Sequence, residues 1–187
     1  ALESVARIRH AIGDDSMVGA IFSDRSIAGT DLMHRLGGID ARAPLGAGVV
    51  AEGAVLVSDT TGLDDSLRSA PAAVLGAERR SKHVEVDGRV HYLSPGFRSE
   101  NGYLPQSDVI GLEGEIELLA YPRSKHFPRV FGSPIDIRAD WHQDGQLREL
   151  TLRPKAGTWF SNGAMLMFMG KRTGELYEGE FLEASRG

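Results

Sequence analysis

The sequence predicts an α+β, mostly β fold: an antiparallel sheet closed or nearly closed on itself (a β-barrel or β-roll), with two or three short helices in the N-terminal half. Three observations predict it. Apolar residues recur at helical spacing only in the first part of the chain. From residue 82 onward that period fades, and turn signals return at intervals suited to antiparallel strands. Three of those turns, Asp87-Gly88, Asp144-Gly145 and Asn162-Gly163, are flanked by apolar residues that would pair across the tip. The count comes to roughly eight to ten strands. The 187 residues read as a single domain, with a helix-containing portion 1–80 and an antiparallel β portion 81–187.

Leu2, Val5, Ile8 and Ile12 fall within one helical arc, and Gly13 supplies a stop, so the chain is expected to open on an amphipathic helix. Residues 17–22 form a short apolar run of strand length. Thr30 is placed to cap a brief helix through Leu32, Met33 and Leu36, closed by Gly37-Gly38. Residues 48–57 read as a strand that bends at Gly53. Thr61 and Asp64 resemble a capping box for a helix carrying Leu63 and Leu67. Pro71 interrupts that helix, and residues 72–80 resume it.

In the β portion, a three-residue loop Val86-Asp87-Gly88 would set Val84 opposite Val90, Glu85 opposite Arg89 and His83 opposite His91. The strand near 109–121 alternates: Glu113, Glu115 and Glu117 on one face, Leu112, Gly114, Ile116 and Leu118 on the other. Asp144-Gly145 would pair Ile137 with Leu152 and Ala139 with Leu150, leaving Arg138, Asp140, His142, Glu149 and Thr151 on the opposite face. Asn162-Gly163 would bring Phe160 to Met165 and Trp159 to Leu166. A last strand, 175–182, would turn Tyr177 and Phe181 inward, and the irregular stretch 94–107 has the length of a lid.

Composition narrows function. Apolar residues make up 41 % and charged residues 25 %, an ordinary globular balance, and the absence of cysteine excludes disulfides, thiolate metal sites and cysteine nucleophiles. A net charge of −5 disfavours nucleic acid as a partner. No apolar run approaches the roughly 20 residues of a helical span, so no membrane span and a soluble, cytoplasmic protein are expected. Phosphate loops, nucleophile elbows, zinc helices and dinucleotide fingerprints do not occur, and no cofactor is expected.

The segment from Tyr121 to Phe131 interleaves Arg123, Lys125, His126 and Arg129 with aromatics between Pro122 and Pro128. Cations beside flat apolar groups suit an amphipathic carboxylate, with Trp141 or Trp159 on its apolar body. The same composition also describes a plain solvated loop. His142, two residues from Asp140 on the same face, forms a general-base arrangement, which exposure at a turn would explain equally well. His83, Glu85 and His91 have the residue types of a metal site, but Arg89 beside them disfavours a cation. Met165 to Met169 suit a pocket for an apolar ligand or a strand buried on both faces.

The expected function is therefore binding of an apolar or amphipathic anionic small molecule. Ligand residues would be Tyr121, Arg123, Lys125, Arg129, Trp141 and Trp159, with His142 and Asp140 as the acid–base pair of a cofactor-independent cyclase, isomerase or lyase. The alternative is a structural or interaction module without catalysis. A second copy of the chain is admitted as a partner.

Overall fold

In the computed structural model, residues 2–13, 15–26, 33–61, 67–99, 107–177 and 180–185 are described. They contain 13 strands and no helix: β1 Leu2–Ile12, β2 Ser16–Ser26, β3 Met33–Gly46, β4 Val49–Thr61, β5 Leu67–Arg80, β6 Val84–Leu93, β7 Val109–Ala120, β8 Arg129–Trp141, β9 Leu147–Leu152, β10 Lys155–Trp159, β11 Met165–Met169, β12 Arg172–Tyr177 and β13 Glu180–Ser185. Hydrogen-bonded neighbours follow chain order from β1 to β9, then β12 and β13, while β10 pairs with β8 and β11.

Two expectations about the fold class are corrected first. The helices are strands: residues 2–12 form β1, Met33 and Leu36 lie in β3, and residues 72–80 belong to β5. Leu2, Ile8 and Ile12 also share strand parity, so their spacing serves either period, and pairing with β2 decides it. Thr30, Leu32, Leu63 and Asp64 lie outside the described residues, as do 100–106 of the expected lid. The second correction concerns closure. The sheet is not closed, for β1 and β13 end the strand order without pairing to each other. Turn chemistry specifies only adjacent pairs, and closure is a long-range pairing that no local pattern encodes.

The chain groups into two compact units. The first comprises residues 1–45, 50–76 and 91–110. Its ladders place Ile8, Ala20 and Ile39 in one row across β1, β2 and β3, and Arg9, Gly19 and Asp40 in a row on the opposite face. Its buried apolar cluster is small: Leu36, Ala70, Ala72 and Phe97, with Leu56 and Leu93 against it. Phe97 reaches it from the segment after β6, where Ser94 N–H donates to the Pro71 carbonyl and Arg98 N–H to Ser58 Oγ.

The second unit comprises residues 46–49, 77–90 and 111–187. Here β8 pairs along its first half with β10 and along its second half with β9. Ile137 opposes Leu152 and Ala139 opposes Leu150, as the Asp144-Gly145 turn predicts. The Asn162-Gly163 tip also forms, but one register step away, with Trp159 opposite Met165 and Thr158 opposite Leu166. The Asp87-Gly88 tip does not form. β6 runs straight through it, because Val84, Val86 and Val90 alternate with Glu85, Asp87 and Arg89 without a break, and strands on both sides accept that pattern. The expected last strand is instead the pair β12 and β13, with Leu176 opposite Phe181.

Candidate functional site

Most of the paired charges lie on one set of alternate positions in each unit, the Asp24–Arg35 pair at 2.8 Å being on the other set. In the first, Arg7 pairs with Asp40 at 3.1 Å, and His34 Nδ1 lies 3.0 Å from Thr60 Oγ1. Ser58, fully buried, donates to the Ala70 carbonyl. The other alternate positions hold large apolar side chains turned outward: Ile39 is 66 % exposed and Leu75 60 %, as are Leu2, Ile8, Phe22, Val55 and Val57 to lesser or greater degree.

In the second unit, the three glutamates of β7 share a face, as the sequence predicts, and each meets a cation. Glu113 lies 3.6 Å from Arg138, Glu115 2.6 Å from Lys155 and Glu117 3.6 Å from Arg129. Arg138 also donates through Nε to the buried Asp140 carboxylate at 3.0 Å, and Arg153 pairs with Asp136. Thr151 on β9 donates to Glu149 and lies 3.1 Å from Thr173 on β12. Beside this row an open cavity of about 250 Å³ is lined by five acids, among them Asp87, Glu115 and Glu117, and by three cations, Arg79, Arg80 and Lys155. Leu112, Leu118, Val130 and Ile135, at the intervening positions, are exposed.

Two of the predicted ligand residues come together. The Arg129 guanidinium sits 4.5 Å from the Trp159 ring centroid, and Trp159 packs against Phe131 at 4.7 Å. Their strands pair Arg129 directly with Trp159, which is the reason they meet. Trp141 ends β8 at its far end, roughly 40 Å away along an extended strand, so it does not join them. Arg123 and Lys125 are exposed in the connection after β7, and Tyr121 turns its ring onto His83, centroids 5.9 Å apart. Asp140 is fully buried beside Arg138, while His142 opens the β8–β9 turn, its N–H donating to the Gln146 carbonyl.

His83 and His91 stand near the two ends of β6 instead of opposite one another, since the hairpin that would have joined them is a continuous strand. Among the described residues no group of three or more histidine, aspartate or glutamate side chains is arranged to hold a metal ion. The Met165–Met169 strand is exposed on both faces and is not buried as a core strand. Sequence reasoning did not anticipate the cation partners of β7, because they come from β8 and β10, which only the tertiary fold brings alongside.

No family model matches the chain, and no curated protein or solved structure matches it either. No helix of the described residues is long and apolar enough to cross a membrane. That statement concerns helices, and strands cross by a different pattern.

Proposed function

We propose that the sheet is a membrane-embedded wall of β-strands, with one face against lipid acyl chains and the other against a polar compartment. The observation that supports it is the inverted placement of side chains in each unit. Large apolar residues occupy most of the exposed alternate positions, while serine, histidine, aspartate and most of the ion pairs share the covered ones with a small apolar cluster, the Asp24–Arg35 pair alone among those described lying on the exposed set. In water such a face would leave hundreds of square ångströms of contiguous apolar surface unburied, at about 25 cal/mol per Å². In lipid the preference reverses. The eight strands β1 to β8 are 10 to 14 residues long, enough for the roughly 9–11 residues of a tilted membrane strand. Ladder pairing satisfies the backbone groups of β2 to β8, which have a neighbour on each side, whereas the outer edges of β1 and β13 take no partner among the described residues and need one in lipid.

The chain has no cysteine, so single cysteines report cleanly. Environment-sensitive probes at Ile39, Val90 and Leu118 are expected to be quenched by nitroxide-labelled lipid, and probes at Glu52 and Glu115 to be spared. Equal quenching of both sets, or a protein that stays in the aqueous phase when vesicles are offered, overturns the reading.

Binding of a small amphipathic anion is a second proposal, supported by the Arg129–Trp159 stack. Asp140 and His142, at the other end of β8, stand apart from that stack. Titration of tryptophan fluorescence with fatty and aromatic carboxylates tests it. A response lost in Arg129→Ala supports a site there, and no response in the unaltered protein refutes it.

A further inference from the structure

The connection between β7 and β8 holds two cations that the ion-pair rows do not use. Arg123 and Lys125 are exposed, and among the described residues neither side chain takes part in a hydrogen bond or ion pair. Every neighbouring cation on the polar face is engaged: Arg129 with Glu117, Arg138 with Asp140 and Lys155 with Glu115. The connection is nevertheless ordered. Ser124 Oγ accepts from the N–H groups of His126 and Phe127, Ser161 N–H donates to the His126 carbonyl, and Phe127 packs on Phe160 at 5.4 Å. The two charges are thus presented on a fixed turn.

Their position along the strands matters as much as their freedom. On the outward face the last large side chain of β7 is Leu118, 48 % exposed, followed by Ala120, and β8 begins with Val130, 39 % exposed. Next along the chain from either strand come Tyr121 and Phe127, also exposed, with Arg123 and Lys125 between them. Moving off the sheet, the order is aliphatic, aromatic, cationic. That is the order in which a bilayer presents acyl chains, the interfacial zone and phosphate headgroups.

We propose that this connection is an anchor for anionic lipid headgroups, with Arg123 and Lys125 binding lipid phosphates while Tyr121 and Phe127 sit at the interface. The inference rests on the lipid-facing reading of the sheet. It also gives the cation–aromatic segment a ligand of the chemistry its composition suggests, an amphipathic anion, supplied by the bilayer and not by solution.

The test measures association of the full chain with vesicles of phosphatidylcholine, alone and mixed with phosphatidylglycerol. The unaltered protein is expected to bind both, and the mixed vesicles more tightly. Arg123→Gln with Lys125→Gln is expected to lose about thirty-fold on mixed vesicles at low salt, about five-fold for each charge, and nothing on pure phosphatidylcholine. The charge-keeping variant Arg123→Lys with Lys125→Arg should bind mixed vesicles like the unaltered protein, which separates charge from folding. Entry into neutral vesicles without any gain from phosphatidylglycerol, or a glutamine variant that keeps the gain, overturns the anchor and leaves the lipid-facing wall standing. Displacement from mixed vesicles by inorganic phosphate at concentrations too low to screen charge would show a soluble-anion site and also overturns it. Failure to enter either vesicle overturns both.

Discussion

Arg7 on β1 and Asp40 on β3 meet at 3.1 Å across the bare backbone of Gly19 on the strand between them. A Cβ at Gly19 would stand 2.6 Å from Asp40 Oδ1, so the pair and the glycine are one device. Gly19→Val should separate the two charges even though valine favours a strand. Both partners keep some solvent contact, which limits the loss to about 0.5 kcal/mol. The check is a double-mutant cycle: Gly19→Val in an Asp40→Ala background, where the contacting side-chain atoms are gone, should cost nothing beyond Asp40→Ala alone, and amide exchange in β1 should quicken in both single variants.

Phe131 lies over Gly157 in the same manner. An added Cβ would stand 2.6 Å from Phe131 Cζ and 2.5 Å from the Leu166 carbonyl oxygen. The ring is buried and the carbonyl belongs to the ladder, so neither yields readily. Gly157→Ala is expected to cost about 1–3 kcal/mol, seen as a lower denaturant midpoint at unchanged slope. Adding Phe131→Leu should recover only part of it, because the backbone contact persists.

Leu118 and Glu115 sit on opposite faces of β7, and substitutions there should part company in lipid. Leu118→Arg is expected to cost about 2–4 kcal/mol of folding free energy in vesicles if its level lies near the bilayer midplane, and less toward the interface. Glu115→Gln should leave vesicle folding nearly intact. Equilibrium unfolding in vesicles, followed by tryptophan emission, measures both.

Lys155 holds Glu115 where Glu117 and Asp87 line the same cavity. Lys155→Met removes the cation that pairs with this carboxylate among the described residues and leaves Glu115 beside Glu117 and Asp87, with Arg79 and Arg80 the remaining cations of the lining. The expected loss is about 1 kcal/mol at low ionic strength, shrinking as salt screens the repulsion. Lys155→Arg should keep most of the stability. Denaturant midpoints at two salt concentrations are the measurement.

Some of this was legible in the residues. The face shared by Glu113, Glu115 and Glu117 follows from strand alternation, and the pairing of Ile137 with Leu152 follows from Asp144-Gly145, because both are local. Asn162-Gly163 marks a tip for the same reason, yet the ladder settles one step from the expected register, with Trp159 opposite Met165. The meeting of Arg129 with Trp159 could have been found by asking which strand the Pro122–Pro128 connection leads into and what that strand then pairs with.

The residues alone dictate which side chains alternate and where the chain can reverse. Whether those signals are used was decided by the tertiary structure. Asp87-Gly88 has the chemistry of a turn, but β6 keeps its alternation through it, and pairing along its whole length outweighs one local reversal. Leu2, Ile8 and Ile12 fit a helix or a strand equally, and eleven paired positions against β2 choose the strand. A hydropathy window tuned to helices finds nothing in strands whose apolar residues come every second position. The outward direction of that apolar set is a property of the assembled sheet, set by which face the ion pairs and the 94–99 segment cover, and no single strand carries it.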